Sequence, residues 1–272
     1  ISLSESTTLV FGLRHDNYEQ KAIEDSLSAA GNPANHPLLP REDSETSLKL
    51  GVIQDLNDVV SVFAQIAEGY RNPDFTDAYN TYTNYAFGYT IIPNPDLKAE
   101  YSTGYELGLR GTKDEVKWSL VVFKNNFKDF IDSNLYSLPP VNGVLQVRYE
   151  NLESVRTKGV EFEIRRNISE TLSSFAGFAL NEADNLTNDS FTPDQLKYGL
   201  SHISESGNLS TNYVMTYTAD SPRLPPITGR SGSTPAVFAP RSVTHDVFVN
   251  FDLDENFDLR LGIRNISDEK YW

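Results

Sequence analysis

Apolar side chains return at every second position in eleven short segments of this chain, and that period limits it to a wall of β-strands. Near the end, His245, Val247, Val249, Phe251 and Leu253 fall on one face, and Asp246, Phe248, Asn250 and Asp252 on the other. After a turn at Asp254 to Asp258, Leu259, Leu261 and Ile263 resume the apolar face, with Arg260 and Arg264 opposite. Successive strand side chains point to opposite sides, so one face is oily and one charged. A soluble sandwich and a membrane-spanning barrel both satisfy that pattern.

The connections separate the two. Short polar turns at Asp55 to Asp58, Thr112 to Glu115, Asn167 to Glu170, Ser204 to Asn208 and Asp254 to Asp258 take turns with long loops. The long ones run from about Lys21 to Glu45, Arg71 to Tyr101, through Pro139-Pro140 and Asn142-Gly143, Glu182 to Asp194, and Ser221 to Pro240, and are expected to be irregular. A membrane wall with one threaded end and one ligand-facing end has this asymmetry. The expectation is therefore an all-β fold: a partial antiparallel transmembrane β-barrel with short periplasmic turns and long extracellular loops. Six outgoing and five returning strands make an odd number, whereas barrels of one chain normally close on an even one. Eleven is about half of a 22-stranded transporter wall, so residues 1–272 read as one portion of such a barrel. Ile1-Ser2-Leu3-Ser4 lacks the features of an export signal, and Tyr271-Trp272 reads as the end of a strand, which fits a fragment.

Composition removes other classes. With 38 acidic against 23 basic residues the net charge is -15, which opposes a nucleic-acid partner. No apolar run approaches the ~20 residues of a membrane helix. Cysteine is absent, and His15, His36, His202 and His245 are too scattered for a local metal motif, so no disulfide, metal or resident cofactor is expected. Glu161 and Glu163 share a strand face at period two, which a charged barrel lining explains without catalysis. No phosphate loop or nucleophile elbow is present, and the reading is of a protein that is not an enzyme.

Four stretches, in order, resemble boxes of the TonB-dependent outer-membrane receptors: Gly69-Tyr70-Arg71-Asn72-Pro73; Asn94-Pro95-Asp96-Leu97-Lys98-Ala99-Glu100 with Tyr105-Glu106-Leu107-Gly108; Tyr149-Glu150-Asn151-Leu152 through Lys158-Gly159-Val160-Glu161; and Arg264-Asn265-Ile266-Ser267-Asp268-Glu269-Lys270-Tyr271. The motif positions are Tyr70, Arg71, Pro73, Asn94, Pro95 and Leu97. The resemblance implies a Gram-negative outer-membrane receptor that takes up a scarce nutrient. Its partners would be outer-membrane lipid, a small-molecule or iron-complex ligand with or without a carrier protein, and the TonB complex through an N-terminal segment absent here. Plug domain and final strand would also lie outside residues 1–272. A passive porin or adhesin, or a soluble carbohydrate-binding β protein, is the alternative.

Residue by residue, Pro73 ends a strand ladder, Arg71 is suited to hold acidic neighbours or lipid phosphate, and Gly108, Gly159 and Gly262 leave room for close approach. Trp118, Tyr213, Tyr217, Tyr271 and Trp272 suit aromatic girdles, and His245 a lipid-facing position. The box pair around Arg71 and Asn94 is similar to that of the haem and haemoglobin branch, which carries a ligating histidine between the boxes. This chain has none from Asn72 to Pro93 but has Tyr79, Tyr82, Tyr85 and Tyr89. These four tyrosines and His36 are the expected ligand contacts, since phenols stack, hydrogen-bond and ligate iron. Haem thus stands beside ferric siderophores as candidate cargo.

Overall fold

The computed structural model describes residues 1–21, 23, 38–94, 96–131, 136–184, 193–224, 227–229, 232–234, 237–254 and 256–270. Strands β1 (Thr7–Gln20), β2 (Arg41–Asp55) and β3 (Val60–Arg71) lead to helix α1 (Phe75–Tyr79) and to β4 (Tyr82–Asn84) and β5 (Tyr89–Ile91). Then follow β6 (Glu100–Lys113), β7 (Val116–Ile131), β8 (Tyr136–Val141) and β9 (Val144–Arg148). Next are β10 (Asn151–Asn167), β11 (Leu172–Asp184), β12 (Gln195–Ile203) and β13 (Leu209–Thr218). The short β14 (Ser221–Leu224), β15 (Ile227–Gly229), β16 (Gly232–Thr234) and β17 (Val237–Ala239) precede β18 (Ser242–Asp254) and β19 (Phe257–Ile263).

Eleven of these form one sheet in the order β1-β2-β3-β6-β7-β10-β11-β12-β13-β18-β19, with every neighbouring pair antiparallel. This is the expected partial wall. Its register is set by five short turns. At one of them Asn57 Oδ1 accepts the amides of Val59 and Val60 at 2.9 Å each, closing β2 onto β3.

From β1 to β11 the register sets apolar residues beside one another on one face. Phe11 opposes Leu50, Leu50 opposes Ile66, Leu107 opposes Ala64 and Val122, and Val160 opposes Val122 and Leu180. A sandwich would bury that face against a second sheet. Here Phe11 is 65% exposed, Leu50 53%, Leu107 52% and Leu261 59%. Unpacked side chains of this size in a band are what a wall offers to hydrocarbon. His245 belongs to the same row, opposite Met215, and bonds the Tyr213 hydroxyl at 2.8 Å.

On the opposite face four phenylalanines stand directly across from glycines: Phe63 and Gly108, Phe123 and Gly159, Phe175 and Gly199, Phe248 and Gly262. A Cβ on Gly108 would lie 2.2 Å from the Phe63 ring, and one on Gly199 2.1 Å from that of Phe175. The rings therefore lie over bare backbone, so these strands pair flush beneath bulky side chains.

Packed interior is concentrated at the loop end of β3, β6, β7 and β10, where Pro73, Leu97 and Val155 are the largest fully buried side chains. The connections expected as irregular loops hold structure there. Residues 72–99 carry α1, β4 and β5; Asn142-Gly143 is the turn of a β8–β9 hairpin; within 221–240, β14 pairs with β17 and β15 with β16. Strand β2 begins at Arg41 and β11 runs to Asp184, both longer than the sequence period suggests. Past Ile263 the chain leaves the strand conformation, with Asn265 and Asp268 at φ 50° and 52°; Tyr271 and Trp272 lie outside the described residues.

Candidate ligand-contact module at the loop end

Arg71 ends β3, and its guanidinium ties three segments together. Nη1 donates to Asp77 Oδ2 at 3.1 Å; Nη2 donates to Glu100 Oε2 at 3.2 Å and to the Ile131 carbonyl at 3.4 Å. Glu100 is 9% exposed, and the same Oε2 accepts the Ile131 amide at 3.0 Å, so the buried carboxylate is met by a cation and a backbone donor. Asp77 also works inside α1. Asp74 Oδ1 accepts the Asp77 amide at 2.7 Å and Asp77 Oδ2 accepts the Asp74 amide at 3.3 Å, a reciprocal cap that starts the helix immediately after Pro73. Of the two roles foreseen for Arg71, the structure selects the acidic neighbours.

The second and third boxes meet at the same place. Asn94, 3% exposed, donates through Nδ2 to the Tyr149 carbonyl at 2.8 Å and accepts the Asp96 amide through Oδ1 at 3.1 Å. Asn151 exchanges bonds with Lys98, accepting its amide at 2.8 Å and donating to its carbonyl at 3.0 Å, and also donates to Asp129 O at 2.7 Å. Leu97 fills the space between, 1% exposed, with its carbonyl bonded by the Arg41 guanidinium. Tyr70 packs between the rings of Tyr18 and Tyr101, at 5.8 and 5.5 Å. Side chains from three boxes thus satisfy the polar backbone of an irregular chain path, which otherwise has no ladder to join. Pro95 lies outside the described residues. The fourth box stands elsewhere: Asn265 bonds Asp246 and Glu269 beside β18, and Arg264 lies over the Phe248 ring at 5.8 Å.

On this base stands a small sheet in the order β4-β5-β9-β8. β4 and β5 form a hairpin closed at Gly88, whose φ of 69° permits the turn and whose amide bonds the Asn84 carbonyl at 2.9 Å. β5 then pairs parallel to β9, burying Ile91 and Val147. The four tyrosines named from the sequence divide by this geometry. Tyr82 and Tyr85 are exposed at the hairpin, 49% and 79%, and Tyr89 is half-buried with its ring 6.4 Å from that of Tyr82. Tyr79 is instead 5% exposed, and its hydroxyl donates to the Leu39 carbonyl at 2.6 Å. Burial raises its phenol pKa, partly offset by the Arg41 charge. That position makes Tyr79 a support of the loop. Phe87, which the sequence pattern did not single out, completes the tip at 81% exposure. Its place two residues after Tyr85, just before a turn glycine, was the available signal. His36 lies outside the described residues.

With this geometry in hand, comparison with known proteins gives consistent results. The family model described as TonB dependent receptor-like, beta-barrel matches residues 1–266. The chain is 28% identical over 186 residues to a hemoglobin and hemoglobin-haptoglobin-binding protein B of Haemophilus influenzae, covering 65% of this chain and 17% of that protein. It is 25% identical over 247 residues to a ferric enterobactin receptor, PirA, of Pseudomonas aeruginosa, covering 83% of this chain and 33% of that receptor. The solved structure of a copper transporter, OprC, superposes with a TM-score of 0.71 over 99% of this chain and 40% of its own, at 20% identity, a likeness of fold. The chain therefore spans a third or less of these two curated relatives' length.

Proposed function

The chain belongs to the TonB-dependent receptor β-barrel family, and from that premise we propose that it supplies the C-terminal part of the wall and two contact loops of an active uptake receptor for an iron complex. The wall lies in the outer membrane, its apolar face toward lipid. Haem, alone or on its carrier protein, and a ferric siderophore are the cargo classes, in keeping with the haemoglobin-binding and ferric enterobactin relatives. Plug, TonB contact and closing strand belong to other parts of the receptor in this reading. The role is binding without catalysis: Glu163 on the charged face is engaged by Arg165 at 2.6 Å, an ordinary exposed ion pair.

The observation that carries the proposal is the aromatic tip of Tyr82, Tyr85 and Phe87, held on a hydrogen-bonded base yet open to solvent. Large aromatic side chains left exposed on a braced hairpin suit recognition, because little conformational entropy is lost when they are covered. In the full-length receptor, Tyr82→Ala/Tyr85→Ala/Phe87→Ala is expected to weaken binding of haemoglobin or of ferric enterobactin, each offered separately, by about ten-fold or more. Outer-membrane assembly should stay normal. Unchanged binding of both cargoes would remove the site assignment. Tyr79→Phe, by contrast, is expected to lower stability of the loop by about 1 kcal/mol through the lost bond to Leu39 while leaving affinity unaltered. Proteolysis of the loop and a binding isotherm read the two effects separately.

A further inference from the structure

The apolar face ends, on the loop side, in a row of another character. Tyr105, Lys124, Lys158 and Glu182 follow one another across β6, β7, β10 and β11, directly beyond the row of Leu107, Val122, Val160 and Leu180. Lys124 and Lys158 are cross-strand partners, so two ammonium groups spring from positions about 5 Å apart, an arrangement that destabilises a sheet unless an anion lies between. Glu182 engages Lys158 at 3.0 Å, an exposed pair of small worth. Lys124 makes no ion pair with a described residue. One pleat further out, Arg156 is engaged by Asp184 at 4.0 Å.

A second observation adjoins the first. A shallow hollow lined by Leu50, Val52, Ala64, Ile66, Leu107 and Val122 reaches Lys124. Ala64 is the cause, a small side chain between Val52 and Leu107 in a row that is otherwise bulky. The combination is amphiphilic and oriented: hydrocarbon surface toward the membrane centre, paired cations where headgroups begin, and Tyr105 beside them.

We propose that the row is a binding site for a phosphorylated lipid of the surrounding leaflet, one acyl chain in the Ala64 hollow and a phosphate bridging Lys124 and Lys158. Charge complementarity is local, since the chain as a whole carries -15 and repels anions. The site depends on the apolar face meeting lipid and is independent of which cargo the loops take.

The test uses the full-length receptor in detergent, with phosphatidylcholine nanodiscs carrying a bis-phosphorylated lipid as probe. Bound lipid per receptor is counted by native mass spectrometry. Lys124→Gln/Lys158→Gln is expected to reduce retained lipid about ten-fold or more. Ala64→Leu, which fills the hollow with a residue at home in lipid, is expected to reduce it as well. Lys197→Gln, which removes one cation from the opposite face, serves as control and should change nothing, as should inorganic pyrophosphate added in excess. Normal lipid retention by the double lysine variant overturns the proposal. Equal loss in Lys197→Gln overturns it in favour of general charge, and displacement by pyrophosphate with full retention in Ala64→Leu overturns it in favour of a free-phosphate site. Cargo binding, measured on the same preparations, is expected to stay intact throughout, and its loss would bear on the loops alone.

Discussion

Replacing Gly159 with valine is expected to leave almost no folded barrel in the membrane. A Cβ there would sit 2.5 Å from the Leu180 carbonyl oxygen and 2.6 Å from the tip of the Phe123 ring. The ring is a side chain with rotatable bonds, but the carbonyl belongs to the ladder in which Val160 faces Leu180, and it moves only if β10 and β11 separate. Overpacking of a wall held on both sides costs about 3 kcal/mol, the upper end for such changes, and valine adds two further methyls. Heat-modifiability in gel electrophoresis and surface labelling of intact cells measure the assembled fraction. Gly12→Ala is the control, because its nearest neighbour is Lys49 Cβ at 3.4 Å, an ordinary contact, and it should assemble normally. Gly108→Ala falls between the two. Its three nearest obstacles all belong to the Phe63 ring, so a companion Phe63→Leu should restore assembly, whereas Phe123→Leu should fail to rescue Gly159→Val. Normal assembly of Gly159→Val would mean that close approach is not what this glycine provides.

Arg71→Ala is expected to have the second largest effect, and a different one: the wall survives and the loop base comes apart. Without the guanidinium, Glu100 keeps one backbone donor in a nearly dry site, and Asp77 retains only its role in the cap of α1. Arg71 itself is 46% exposed in its side chain, so the penalty is about 2 kcal/mol rather than the larger value of a fully buried pair. Limited proteolysis between residues 72 and 99 should become rapid, and cargo binding should fall with it, while the barrel remains heat-modifiable. Glu100→Gln added to Arg71→Ala should cost less than it does alone, because the two act as one unit. Arg71→Lys should recover part of the stability, since a lysine reaches one carboxylate where the fork holds two. Equal proteolysis of native and Arg71→Ala loops would show that the ion pairs hold nothing in place.

The wall was legible because alternation in a strand is a local property. Leu48, Leu50 and Val52 announce their face without knowledge of any neighbour, and Asp55 to Asp58 announces the turn. What the residues could not reveal was what lies across a strand. The phenylalanine over each glycine belongs to the next strand, so Gly159 read as a place for close approach without its reason. The same holds for Lys124 and Lys158, unremarkable apart and conspicuous in register. The loop end was half legible. Arg71, Asn94 and the segment at Asn151 were singled out, yet their meeting depends on contacts between segments some fifty residues apart in sequence. Helix α1 was missed because five residues give too short a span for a helical period, although Asp74 and Asp77 mark its cap. Asn142-Gly143 is a hairpin signal, but the short strands it joins show no apolar period of their own in the sequence. Composition alone does not separate Tyr79 from Tyr82, Tyr85 and Tyr89; its burial does.

The parallel pairing of β5 with β9 has a mechanical consequence. It clamps together two extracellular excursions that leave the rim at different strands, one rooted at Arg71 and Glu100 and the other at Ile131 and Asn151. In the proposed reading, a cargo at Tyr85 or Phe87 would press on one lever with two feet. Any swing of that lever would bear on the same four strand ends, so a load on either excursion would reach the barrel rim as a torque.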